Sequence, residues 1–247
     1  MQGRDIVVIG GSAGALDGVT NIVQGLTPDL KASLFVVMHA SEGSTGFLPE
    51  IVARRTQLPV RVGKSGDRIR PGQAFLPPVD RHMTIDRGRV RVTRGPRQNR
   101  FRPAIDPLFA SAALSYGPRV VGIVLSGGMD DGTHGLSQIQ RAGGVTVVQD
   151  LEEAPVQGMP LAALKSVKVA VRSLEEHAEL HRRLASVKGT GRERSGAMKR
   201  HADEIERRSH ILRRILVERG DAGGISNAPR RRATRNARLR ERTKGAE

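Results

Sequence analysis

Short apolar, β-branched runs alternate with longer stretches of helical spacing over roughly the first three quarters of the chain. Asp5–Gly10, Ser33–Met38, Val120–Leu125 and Val145–Val148 are bounded by glycine, serine or charged residues and show no apolar–polar alternation. Runs of that kind suit strands buried on both faces, as in parallel sheets. Between them Ala15–Gln24, Thr45–Arg55, Asp106–Ser115, Gly135–Arg141 and Leu174–Leu184 read as helices, the last with Ser173 as its N-cap. This order predicts an α/β fold: a doubly wound, mostly parallel sheet. One segment breaks the rhythm. Gln73–Thr93 reads as short strands turning at Asp86-Arg87-Gly88, a small antiparallel hairpin excursion at the sheet edge. Arg94–Arg102, with arginines at 94, 97, 100 and 102 among glycine and proline, reads as an exposed basic loop.

The pattern changes at Lys188, and the domain boundary is placed there: a body over residues 1–187 and a basic tail over 188–247. Gly189–Gly196 is a polar linker. Met198, Ala202, Ile205, Ser209, Leu212 and Leu216 then alternate spacings of four and three, predicting a helix near residues 197–219 with a short coiled-coil seam. A solvated helix resting on the body explains the same spacing equally well. Gly223–Glu247 is arginine-rich with almost nothing to bury, and reads as disordered. The tail also changes the meaning of the composition. The net charge of +16 divides into +6 over residues 1–185 and +10 over residues 186–247, so the basicity belongs mainly to the tail. With no tryptophan, one tyrosine and five phenylalanines, a base-stacking surface for single-stranded nucleic acid has little to be built from. No cysteine is present, which removes disulfides, thiolate metal sites and a cysteine nucleophile. No apolar run is long enough to span a membrane, and no signal-peptide pattern opens the chain, so a cytoplasmic address is expected.

Three segments carry candidate chemistry, each at the end of a predicted strand, where open α/β sheets place their ligands. Gly10-Gly11-Ser12-Ala13-Gly14 fits G-x-S-x-G between a strand and a helix, a turn that exposes a serine hydroxyl near backbone N–H groups. A glycine-rich phosphate turn shares that context, but Ser12 takes the second glycine place of a dinucleotide motif. The second strand also ends in Val37-Met38-His39, without the expected ribose-binding carboxylate. If the first two strands are neighbours, Ser12 and His39 come within reach. Leu125–Gly132 follows a third strand and supplies Asp130 and Asp131, either of which could orient an imidazole or cap the next helix. His134, at the start of that helix, is a rival base.

Over roughly residues 4–184 the chain resembles the catalytic domain of the CheB family, the protein-glutamate methylesterases of bacterial chemotaxis. Gly10–Ala15 matches the family's G-A-S-x-G-G turn, Met38-His39-Ala40 its Q-H-M, and Ser126–Gly132 its T-G-M-G-x-D-G. Ala104-Ile105-Asp106-Pro107-Leu108-Phe109, Gly143-Gly144 with Gln149-Asp150, and Gly158-Met159-Pro160 look like further signatures; His82, in another, is read as structural. The resemblance implies a serine nucleophile at Ser12, a histidine base at His39 and an orienting aspartate at Asp131. It also implies an oxyanion hole of the Ala13 and Gly128 amides, with no cofactor and no metal. The sequence departs from the pattern at Ala15, at both neighbours of His39 and at the transposed Gly128-Met129.

The resemblance implies hydrolysis of glutamate γ-methyl esters on methylated chemoreceptors or similar acidic helical proteins, and glutamine deamidation as a second reaction. Full-length members carry an N-terminal receiver domain; this chain starts at the catalytic domain's first strand and reads as a stand-alone form. Arg97, Arg100 and Arg102 are candidate docking residues for an acidic substrate. The tail offers a coiled-coil or anionic-partner surface. Two other classes stay open: a nucleotide-binding module using Gly10–Gly14, and an inactive body whose basic tail binds a partner or nucleic acid.

Overall fold

A computed structural model of the protein describes residues 3–39, 46–186 and 195–203. In chain order the elements are β1 (Ile6–Gly11), α1 (Leu16–Gln24), β2 (Ser33–Met38), α2 (Leu48–Ala53), β3 (Val60–Val62), β4 (Gln73–Leu76), β5 (His82–Asp86), β6 (Arg89–Thr93), α3 (Ile105–Tyr116), β7 (Val120–Val124), α4 (Thr133–Arg141), β8 (Val145–Val148) and α5 (Gly158–Ser186). Six strands form one parallel sheet in the order β3-β4-β2-β1-β7-β8. The predicted α/β fold is the observed one. The chain builds outward from β1 through β2 and then returns to β1's other side as β7, which makes the β1/β7 crevice the point where the winding reverses. Ligands of such sheets bind outside the carboxyl ends of the strands at that point.

Helices cover both faces. Ile9, Leu34, Val36, Ala74 and Leu76 point to α1 and α2, packing with Val19, Val23 and Val52 in one buried cluster. The opposite face carries α3 and α4. There Gly10 lies directly under Ile105: a Cβ on Gly10 would stand 2.4 Å from Ile105 Cγ2. The missing side chain lets the first turn of α3 descend onto the end of β1, with consequences for the site. In the second layer Phe35 and Phe75 stack with ring centroids 5.4 Å apart, a geometry that adds roughly 0.5–1.5 kcal/mol to their burial.

The antiparallel excursion differs from the expectation in extent. β5 and β6 form a separate two-stranded sheet turning at Arg87-Gly88. Gln73–Leu76 is not part of it; as β4 it pairs in parallel with both β2 and β3 and is almost fully buried. A four-residue run ahead of a Pro-Pro step carries too little pattern to separate a central parallel strand from the first arm of a meander. The helix predicted at Leu174–Leu184 is the latter half of α5, which begins sixteen residues earlier at Gly158. Residues 195–203 are also helical; Ser195 Oγ donates to the carbonyl of Ala185, and Ala202 is buried. The start of the helix predicted at Thr45, the seam beyond Asp203 and the arginine-rich end lie outside the described residues. Among the described residues no helix is long and apolar enough to cross a membrane.

Candidate active site

Register brings the first two candidates together. Gly11 of β1 is paired with Met38 of β2, so Ser12 and His39 leave adjacent strands at the same level. The backbone closes the same way: His39 N–H donates to the carbonyl of Gly11 and Ser12 N–H to that of Ser126. Ser12 Oγ lies 3.1 Å from His39 Nδ1, and His39 Nε2 lies 2.6 Å from Asp131 Oδ2. Of the two competing aspartates, the one in contact is Asp131. Asp130 is exposed and engages the start of α4 through its carbonyl, which accepts from Thr133 N–H. His134 is exposed and bonded to Gln138.

Asp131 is fully buried, and its carboxylate is surrounded by donors. Oδ2 accepts from Ile105 N–H at 2.7 Å as well as from His39, and Oδ1 accepts from Asn99 Nδ2 at 2.7 Å, Gly132 N–H at 2.9 Å and Asp106 N–H at 3.2 Å. Burial alone would raise its pKa, but hydrogen bonds from His39, Ile105 and Asn99 outweigh it and hold the group below the ordinary carboxylate range. The Ile105 and Asp106 N–H donors open α3, delivered by the close seating of Ile105 over Gly10. The ionised carboxylate only accepts, so Nε2 carries the imidazole proton and Nδ1 turns its lone pair to the Ser12 hydroxyl. The ring nitrogens are thus used in the opposite sense from the chymotrypsin-type triad, with the same chemical capacity: a base against a hydroxyl, steadied by a buried carboxylate.

The walls of the crevice explain several motifs that the sequence offered without a purpose. Ser126 Oγ donates to the carbonyl of Ala13 and accepts from Val156 N–H, and Ser126 N–H donates to Gln149 Oε1. Met159 N–H donates to the carbonyl of Gly127 at 2.8 Å. These contacts tie the turns after β1, β7 and β8 into one block. Ala13 is exposed and Gly128 half-buried, and among the described residues neither amide has an acceptor. The transposed Met129 is 48% exposed at a φ of +63°, a left-handed backbone that costs a non-glycine residue about 1 kcal/mol.

Gly127 is the tightest point of the block. A Cβ there would meet Met159 Sδ at 2.2 Å and Ser12 Cβ at 2.8 Å. Met159 can yield, whereas Ser12 sits on a fixed turn. Gly127→Ala is expected to cost about 1–3 kcal/mol of stability and to displace the serine. Thermal denaturation together with ester turnover checks this; unchanged turnover would show that Ser12 tolerates the displacement.

Two residues that face the imidazole and the carboxylate were not foreseen. Phe101 stacks on His39 with ring centroids 3.4 Å apart and planes 9° apart, and Asn99 reaches Asp131. Both come from the segment read as a solvated basic loop. Signals existed in the lone phenylalanine and asparagine among the arginines, but four charges dominated the pattern. Of the docking candidates, Arg97 and Arg100 are exposed. Arg102 is a correction: its side chain is only 15% exposed and is bonded to Asp80 and to the carbonyl of Gly95, so it braces the loop and is not presented to a partner. His82 is buried, donating to the carbonyl of Pro96 and accepting from Ala104 N–H.

Comparison with known proteins agrees with this architecture. The CheB methylesterase family model matches residues 7–180. A protein-glutamate methylesterase/protein-glutamine glutaminase 2 of Anaeromyxobacter dehalogenans is 38% identical over 161 residues, covering 65% of this chain and 47% of that protein. A protein-glutamate methylesterase/protein-glutamine glutaminase of Photorhabdus laumondii is 34% identical over 169 residues, covering 67% and 48%. The chain therefore spans about half the length of the curated relatives it matches. The crystal structure of the Thermotoga maritima CheB methylesterase catalytic domain matches with a TM-score of 0.59 at 28% identity, over 67% of this chain and 89% of that one. With the family model running from β1 into α5, the chain belongs to the CheB methylesterase family.

Proposed function

We propose that the chain is a serine hydrolase that demethylates glutamate γ-methyl esters on a protein substrate. The observation that carries this reading is the continuous chain from Ser12 Oγ through His39 to the buried Asp131. Ser12 Oγ attacks the ester carbonyl while His39 Nδ1 takes the hydroxyl proton. The Ala13 and Gly128 amides hold the oxyanion, and the imidazolium is steadied by Asp131. Collapse expels methanol, protonated by His39, and leaves a glutamyl ester on Ser12. Water then attacks that ester, giving up its proton to His39. The second collapse breaks the bond to Ser12 Oγ, returns the His39 proton to that oxygen and frees the glutamic acid side chain, which releases its own proton to solvent as it ionises. A glutamine amide follows the same course with ammonia as the leaving group, in keeping with the glutaminase activity in the relatives' names.

The substrate of this reading is a methylated chemoreceptor or a similar acidic helical protein, met by Arg97 and Arg100 beside the crevice. Methylated receptor peptides incubated with the protein and read by mass spectrometry test it. Loss of the methyl group is expected, and unchanged peptides alongside an intact, folded protein would reject it. The rival reading, a basic binder with an inactive body, has no observation among the described residues in its favour.

The tail enters this proposal only as a means of engagement. Its charge would attract an acidic partner or anionic surface over a Debye length of about 8 Å at physiological salt. Removing residues 204–247 should leave hydrolysis of a small neutral ester nearly unchanged and flatten the salt dependence of partner capture. Loss of small-ester turnover in the folded truncation would place the tail in the site instead.

A further inference from the structure

The turn at residues 98–101 has a geometry that a solvated loop does not require. Gln98 N–H donates to the carbonyl of Phe101 at 3.1 Å, and Phe101 N–H returns to the carbonyl of Gln98 at 2.8 Å. Between them Asn99 and Arg100 both have positive φ, +50° and +73°. This is the two-residue hairpin turn whose central residues are both left-handed. Asparagine suits the first position; arginine at the second holds a strain that glycine would not. The base of the loop is pinned by Arg102 on Asp80 and by His82 on the carbonyl of Pro96. A strained turn kept by its surroundings calls for a reason.

The side chain of Asn99 supplies one. Its Nδ2 has two N–H bonds and both are used: Asp131 Oδ1 lies at 2.7 Å and Asp106 Oδ2 at 2.8 Å. Asp106 is itself fixed, with Oδ1 accepting from Gly135 N–H at 2.7 Å on the first turn of α4. The amide therefore stands between two carboxylates that would repel each other, and ties Asp131 to a rigid helix. Because Oδ1 and Oδ2 of Asp131 move together, anchoring Oδ1 decides where Oδ2 meets the imidazole.

We infer that Asn99 is a positioning residue of the hydrolase, orienting Asp131, and through it His39, by giving one N–H to Asp131 and one to Asp106. The inference rests on the hydrolase reading above. Asn99→Ala should lower kcat on a small neutral ester about 100-fold, the scale of a misplacement near 1 Å, with KM little changed. Asn99→Asp keeps the shape but sets an acceptor against two acceptors, and at neutral pH should fall further than alanine. Asn99→Ser, with one short donor, should lie between the wild type and alanine.

A second readout does not depend on turnover. The proton in the 2.6 Å bond between His39 and Asp131 should resonate far downfield in the proton NMR spectrum, and should shift or vanish by exchange in Asn99→Ala. A kcat for Asn99→Ala close to wild type, a loss confined to KM, a fully active Asn99→Asp, or an unmoved downfield proton would each overturn the inference. A wild type that cleaved no ester would reject the hydrolase reading instead, and the NMR comparison would still decide the role of Asn99.

Discussion

Replacing Ser12 or His39 with alanine is expected to lower ester turnover by about 10⁶-fold in each case, with the double variant little worse than either. The two act as one unit: a hydroxyl without its base is a poor nucleophile, and a base without the hydroxyl has nothing to activate. Some acceleration should remain, because the Ala13 and Gly128 amides of the proposed oxyanion hole belong to the backbone. Ser12→Ala should fold normally, since the turn is held by the Ser12 N–H on Ser126 and by the Ala15 N–H on the Ser12 carbonyl. His39→Ala removes a ring that is 3% exposed and stacked on Phe101, so a stability loss accompanies the kinetic one. Rates with a small ester, alongside thermal denaturation, separate the two effects. Substantial turnover in a folded Ser12→Ala variant would remove Ser12 from the nucleophile's place.

What the sequence made legible follows how locally each feature is encoded. The runs at β1, β2 and β7 were readable because central strands covered by helices need consecutive apolar residues. β8 is an edge strand with Val147 40% exposed, and its β-branched run alone marked it as a strand. β1, β2 and β7 end in the turns that hold Ser12, His39 and the Asp130-Asp131 pair, so the convergence of serine, histidine and a carboxylate was readable too. The choice of Asp131 over Asp130 came from the family resemblance. β3 was not recognised, and β4 was read as a strand but assigned to the antiparallel excursion. Val60–Val62 is a three-residue edge strand with Arg61 at its centre, and Gln73–Leu76 gains its place by pairing with β2. The first helical turn of α3 shows the same limit: that Ile105 N–H meets Asp131 depends on Gly10 lacking a side chain, ninety-five positions away in sequence. Asn99 and Phe101 were hidden for a related reason. Their roles depend on a turn that folds back over the sheet, and composition reports only that their neighbours are charged.

Asp131→Asn should be far more damaging than Asp130→Asn, and the hydrogen bonds say how. Oδ1 of Asp131 accepts from three N–H groups, those of Asn99, Asp106 and Gly132; Oδ2 accepts from two, those of Ile105 and His39. An asparagine must put its amide nitrogen on one side or the other. Placed at Oδ1 it confronts three donors, each unsatisfied pairing costing about 1–3 kcal/mol. Placed at Oδ2 it confronts Ile105 and the imidazole, and the imidazole can yield by moving its proton to Nδ1. That nitrogen faces Ser12 at 3.1 Å, so the cheaper arrangement presents the serine with a donor and leaves no base. The triad template puts such a tautomer error at about 10⁴-fold in kcat. The lost charge also has a pH signature. Asp131's folded pKa lies below its unfolded value, so its contribution to stability is present above about pH 4 and is lost as pH falls through the folded pKa. Asp131→Asn should therefore flatten the acid side of the stability profile. Asp130 is exposed, with a side chain that makes none of these contacts. Its carboxylate acts only as a charge near the start of α4, contributing about 0.3–1 kcal/mol, so Asp130→Asn should leave turnover nearly intact. Steady-state rates of the two variants on one small ester decide the matter, and equal losses or a reversed order would move the orienting role away from Asp131.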